Sequence, residues 1–184
     1  VHNRETTNAV TFRKENQLDD KPIIAILPGS RKQEISKMLT LMLSVGTDFP
    51  DYQFVIAGAP SQEYSFYEPF ITGKNIKFIS NETYNLLSQA NAALVTSGTA
   101  TLETALFKVP EVVCYKGSWL SYQIAKRIIT LKYISLVNLI MDEEVVTELI
   151  QEDCNSTRIK SELTNILDPN YRKNLLEKYD QLEE

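Results

Sequence analysis

Pro28-Gly29-Ser30-Arg31 sets a residue without a Cβ beside a hydroxyl and a guanidinium. Glycine lets a backbone approach a ligand closely, and a guanidinium holds a phosphate through a forked, charge-assisted pair. The same four residues also read as a plain tight turn, with Ser30 capping the next helix and Arg31 in solvent. A second segment, Thr96-Ser97-Gly98-Thr99-Ala100-Thr101, gathers small and hydroxyl residues where a helix is expected to start. Free amide groups and the positive end of a helix dipole can there face a diphosphate. Glu103 follows within the first turn or so, where its carboxylate can accept both hydroxyls of a ribose. The other reading is a capping box, with Thr99 or Ala100 as the cap and Glu103 as its first-turn partner. Spacing leaves both readings of each segment open. Neither segment is a GxxxxGK(S/T) phosphate loop, and GxGxxG is absent.

Residues so placed need elements to hold them. Residues 22–27 read as a strand apolar on both faces, and Ile35, Met38, Leu39, Met42 and Val45 follow at helical spacing. The unit strand, turn, helix then recurs. Strands are expected over 52–57, 76–79, 92–95 and 111–114, with a short helix over 85–89 and another over 99–107. Such alternation implies an α/β fold: a Rossmann-like parallel sheet with helices on both faces. In an open parallel sheet ligands bind beyond the carboxyl ends of the strands, which is where both glycine turns fall. Beyond residue 115 the pattern reads as helical over 120–131, 143–150, 156–167 and from Tyr171. The organisation expected is a leader over 1–20, a Rossmann-like domain over 21–167 and a C-terminal helix over 168–184.

At 184 residues and 43% apolar content the chain suffices for one well-buried domain. A net charge of -5 and an isoelectric point near 5.1 argue against nucleic acid as a partner. The only histidine, His2, lies in the polar leader, which removes a Ser-His-Asp triad, a Cys-His pair and a histidine-based zinc cluster. Cys114 and Cys154 stand far apart with no CxxC spacing, so neither a disulfide framework nor a structural zinc is indicated; a reducing, cytoplasmic setting fits. No apolar run spans a bilayer and no signal-peptide core is seen, so the chain reads as soluble.

Charge is segregated. Residues 108–132 hold five basic residues and one acidic, and residues 142–184 hold twelve acidic and five basic. In the basic stretch Trp119, Leu120, Tyr122, Ile124, Ile128 and Ile129 accompany Lys116, Lys126 and Arg127. They read either as an amphipathic core helix or as a patch for acyl chains and an anionic membrane surface. Cys114 reads as a buried strand residue, with Tyr115 and Lys116 as cleft candidates at that strand's end.

Residues 28–35 (PGSRKQEI), 97–103 (SGTATLE), 133–139 (YISLVNL) and 148–152 (ELIQE), in order and with matching gaps, resemble the C-terminal half of the lipid-A-disaccharide synthase family, glycosyltransferases of the GT-B fold. Where this chain has Val137 the family usually has proline, and around His2-Asn3-Arg4 it has a glycine- and proline-containing interdomain connection.

The resemblance implies inverting transfer of a 2,3-diacylglucosaminyl unit from its UDP conjugate to 2,3-diacylglucosamine 1-phosphate, giving a β-1,6-linked disaccharide. It implies a diphosphate near Gly29, Ser30, Arg31, Ser97, Gly98, Thr99, Ala100 and Thr101, a ribose on Glu103 and a uracil against backbone near Ile79. Asn138, Glu148 and Gln151 match positions near the donor sugar or the cleft. Arg31 and Asn138 are the catalytic residues so assigned, and the general base belongs to an N-terminal half that acts as partner. Peripheral attachment to the inner face of the inner membrane is implied as well. No cofactor or metal is expected, since no DxD-type motif occurs and Arg31 with fixed amide donors would meet the leaving charge. Two other readings are a UDP-N-acetylglucosamine 2-epimerase-like domain and a non-catalytic UDP-binding domain.

Overall fold

Runs of Ile, Val and Ala buried on both faces build the centre of the molecule. The computed structural model describes residues 9–96, 98–116 and 132–184. Strands β1 (Ile23–Leu27), β2 (Gln53–Gly58), β3 (Ile76–Ser80), β4 (Ala90–Thr96), β5 (Glu111–Tyr115) and β6 (Thr147–Ile150) form one sheet in the order β3-β2-β1-β4-β5-β6. Every neighbouring pair is parallel. This is the doubly wound arrangement, in which chain order reverses between β1 and β4.

Alternation along β1 shows how both faces are covered. Ile24 and Ile26 enter a core with helix α2 (Lys32–Leu43), helix α3 (Tyr64–Ile71) and a further helix at Ser156–Leu167. Ile23, Ala25 and Leu27 enter a second core with helix α1 (Ala9–Glu15) and helix α4 (Thr83–Gln89). Each isoleucine or leucine so buried contributes about 1.5–3 kcal/mol. Helix α5 (Thr99–Leu106), helix α6 (Leu136–Met141) and the last helix, Pro169–Glu183, enclose a third cluster of Ala105, Val113, Val137, Leu175 and Tyr179. In chain order the helices at Ser156–Leu167 and Pro169–Glu183 are α7 and α8.

The helix expected over 143–150 is not formed. Thr147–Ile150 is instead the edge strand β6, paired with β5 from Val112↔Thr147 to Tyr115↔Ile150. Tertiary pairing overrides local spacing here: Asn138 Oδ1 accepts from the Val145 and Val146 amides at 2.8 and 2.9 Å, holding the chain extended as it enters the strand. The polar leader contains α1, whose Phe12 is fully buried. α8 begins at Pro169, two residues before the expected start, because Asp168 Oδ1 accepts from the Asn170 and Tyr171 amides and caps it.

Cys114 and Cys154, distant in sequence, are neighbouring free thiols in the core. The hydrogen bond between them pushes Cys114 up, aided by burial, and brings Cys154 down. Ser97, the helix expected over 120–131 and the patch around Trp119 lie outside the described residues. Among the described residues no helix is long and apolar enough to cross a membrane.

Candidate functional site

Leu27 pairs with Val95, so the turns that follow β1 and β4 emerge side by side at the point where chain order reverses. In the first turn Gly29 has φ +104°, and a Cβ there would sit 1.8 Å from Glu34 Oε1. Glycine is demanded by the backbone conformation, while the half-buried Glu34 carboxyl group above it would have to swing aside for any larger residue. Burial raises the Glu34 pKa, against the lowering effect of nearby Arg31. Ser30 is not the cap of α2; Arg31 holds that position and makes no side-chain capping bond. The Ser30 carbonyl instead accepts from Ser61 Oγ at 3.2 Å and Gln62 Nε2 at 3.1 Å, tying this turn to the one after β2.

In the second turn Gly98 is the residue preceding α5, with φ +121° and ψ −160°, a region essentially restricted to glycine. Nothing among the described residues lies within 4 Å of a Cβ built there. Thr101 is fully buried and spends its hydroxyl on the Gly98 carbonyl at 2.9 Å, which fixes the first turn of α5. Thr96, also buried, has a hydroxyl without a hydrogen-bond partner among the described residues.

The capping box is not formed. Glu103 is the fifth residue of α5, beyond the first turn, and its Oε1 accepts from the Tyr84 hydroxyl at 3.0 Å. Tyr84 comes from α4, the crossover joining β3 to β4, and its ring stacks on Phe107 with centroids 5.4 Å apart. Ile79 is the next-to-last residue of β3, two strands away from β1, with its side chain buried; the loop after Ser80 leads to α4 and Tyr84 and thus to the crevice.

The remaining expected residues sit around β6. Asn138, expected at the reacting centre, is fully buried: besides accepting from Val145 and Val146, it donates Nδ2 to the Val146 carbonyl at 2.8 Å. That is a scaffolding role, because three backbone groups occupy the amide. Glu148 faces the same segment, its carboxylate accepting from the Ser135 amide at 2.7 Å and the Ile134 amide at 3.1 Å. Gln151 follows Ile150 at the carboxyl end of β6, with φ +54°. Lys116 Nζ reaches the Cys154 carbonyl at 3.4 Å. Gln151 and Lys116 lie at the carboxyl edge of the sheet, whereas Asn138 is bonded to the chain where it enters β6; only the turns after β1 and β4, with Glu103, converge at the reversal point. A cavity of about 610 Å³, lined by Phe49, Tyr52, Phe54 and Lys74, lies elsewhere, beside the amino ends of β2 and β3.

Tyr84 and Glu34 were not identifiable as site residues from sequence. Tyr84 and Glu103 are brought together by a crossover, and Glu34 matters only because Gly29 lies beneath it.

The family sequence model described as lipid-A-disaccharide synthetase matches residues 2–183. The chain belongs to the lipid-A-disaccharide synthetase family. The lipid-A-disaccharide synthase of Coxiella burnetii is 39% identical over 175 residues, covering 92% of this chain and 46% of that protein. The chain thus spans about half the length of the curated relatives it matches. Among solved structures, WaaG, a glycosyltransferase involved in lipopolysaccharide biosynthesis, superposes with a TM-score of 0.61 at 13% identity, over 98% of this chain and 47% of that one. The Staphylococcus aureus MnaA–UDP co-structure gives a TM-score of 0.60 at 11% identity, over 94% of this chain and 43% of that one. At such identities these two likenesses establish a shared fold, that of the GT-B glycosyltransferases, and membership in the synthetase family rests on the sequence match.

Proposed function

We propose that this chain is the donor-binding half of a lipid-A-disaccharide synthase and holds the UDP moiety of UDP-2,3-diacylglucosamine. The observation that carries the reading is the convergence, at the β1/β4 reversal, of two glycine-only turns with Glu103. Amide groups at the start of α5 and the guanidinium of Arg31 would meet the diphosphate, and Glu103 the ribose. The uracil would lie toward the loop after Ile79.

The acceptor would be 2,3-diacylglucosamine 1-phosphate, entering from the N-terminal half of the enzyme, which would also supply the general base. The inverting step breaks the anomeric C–O bond to UDP and forms a bond to the acceptor hydroxyl, whose proton passes to that base. Charge accumulates on the departing diphosphate, and prepositioned donors are most effective where charge develops. No cofactor enters this scheme. Peripheral association with the inner face of the inner membrane follows from both substrates being lipids.

Isothermal titration calorimetry with UDP tests the site: saturable binding that weakens in Glu103→Gln supports it, and absence of binding overturns it. An assay for disaccharide formation tests the division of labour. Turnover by this chain alone would sink the proposal that the base lies in the other half.

A further inference from the structure

We infer that Tyr84 is the positioning residue that gives the Glu103 carboxylate its ribose-reading orientation, an inference that rests on the nucleotide reading of the site. Glu103 projects from α5 on a half-buried face, and an unrestrained glutamate there would exchange among several rotamers. The structure removes that freedom from one side. The Tyr84 hydroxyl donates to Oε1 at 3.0 Å, in the range of a well-formed O–H···O bond. The phenol is itself held, since its ring lies nearly parallel to Phe107, with centroids 5.4 Å apart and an interplanar angle of 23°. Phe107 is the residue at the end of α5, so the ring is clamped against the helix that carries the carboxylate.

Two elements with different tasks are thereby joined. α4 follows the β3 loop and α5 follows the β4 turn, and the bond from Tyr84 to Glu103 links them through polar side chains. With one carboxylate oxygen occupied by the phenol, the other is presented for the ribose diol. A carboxylate fixed before the ligand arrives loses less entropy on binding than one that must be ordered by it. Tyr84 therefore acts on the ribose through Glu103, without touching the ligand.

The test compares this chain with Tyr84→Phe and Glu103→Gln by calorimetry, using UDP and 2′,3′-dideoxy-UDP as probes. Tyr84→Phe keeps the stack on Phe107 and deletes only the hydroxyl. The unmodified chain should prefer UDP over the dideoxy ligand, and Glu103→Gln should abolish most of that preference. Tyr84→Phe should weaken UDP binding by about tenfold, the order of a hydrogen bond to a charged group, while leaving dideoxy-UDP binding nearly unchanged. A merely structural role would weaken both ligands alike and lower the thermal midpoint, and that result overturns the inference. If Glu103→Gln loses the preference and Tyr84→Phe keeps it, the inference falls and the nucleotide reading stands. If the unmodified chain shows no preference between the ligands, or binds neither, both fall together.

Discussion

The carboxyl group of Glu34 occupies the space that a side chain on Gly29 would need. The turn and the first turn of the following helix thus touch, and glycine at 29 is enforced by its φ of +104° while Glu34 lies over it.

Gly29→Ala should destabilise the fold by about 1–3 kcal/mol, mostly the left-handed backbone penalty, with a smaller cost for displacing the Glu34 carboxyl group. Adding Glu34→Ala removes the displacement cost and should return a small part of that loss, leaving about 1–2 kcal/mol. Urea unfolding of the two single variants and the double variant gives the coupling directly. Strict additivity would mean that Glu34 and Gly29 do not meet.

Asn138→Ala should cost about 2–4 kcal/mol, because it strips partners from buried amides of Val145 and Val146 and from the Val146 carbonyl. The loss should appear in denaturant midpoint without any ligand present. A variant of undiminished stability that fails only in donor binding would return Asn138 to the reacting centre.

Arg31→Ala should weaken UDP binding by about tenfold or more, the order of a charge-assisted bond to phosphate, and should leave uridine binding unchanged. Titration with both ligands separates the cases. Equal weakening of both would place Arg31 away from the diphosphate.

Glu111, fully buried at the start of β5, governs a pH dependence. Burial raises its pKa well above the ordinary range, the neighbouring Tyr179 hydroxyl opposing this only in part, and among the described residues neither carboxyl oxygen has a hydrogen bond of standard geometry. Tyr179 is pushed up as well, by burial and then by Glu111. In the folded chain Glu111 keeps its proton where the unfolded chain has lost it. Its stabilising contribution is therefore complete below about pH 4.3 and falls as pH rises toward its folded value, by at most about 1.4 kcal/mol per pH unit. Glu111→Gln should flatten this slope, so that the variant gains on the unmodified chain between pH 5 and pH 8. Urea midpoints at the two pH values check it, and parallel behaviour would show that Glu111 ionises freely in the fold.

The sheet was legible because its central strands are buried on both faces and so read as unbroken apolar runs, with β1 as the clearest case. β6 was not, since Thr147–Ile150 is short, partly exposed and set in an acidic stretch whose local spacing suits a helix. Only pairing with β5 and the Asn138 bonds decide it, and neither is local. α1 was missed because a single residue, Phe12, carries its burial. The two glycine turns were legible because special backbone conformations demand a special residue. What those turns are for was not, since a cap and a ligand site use the same residue types. The fate of Glu103 turned on Tyr84, nineteen positions away, which no spacing rule connects to it.

The bond from Ser61 and Gln62 to the Ser30 carbonyl makes the first glycine turn a shared property of two crossovers. Lengthening or shortening the loop between β2 and α3 would shift the ligand-side wall of the crevice even though no residue of that loop is assigned to the ligand. Under the proposed donor-binding reading, sequence change there would be expected to alter donor affinity while keeping every glycine and the glutamate intact.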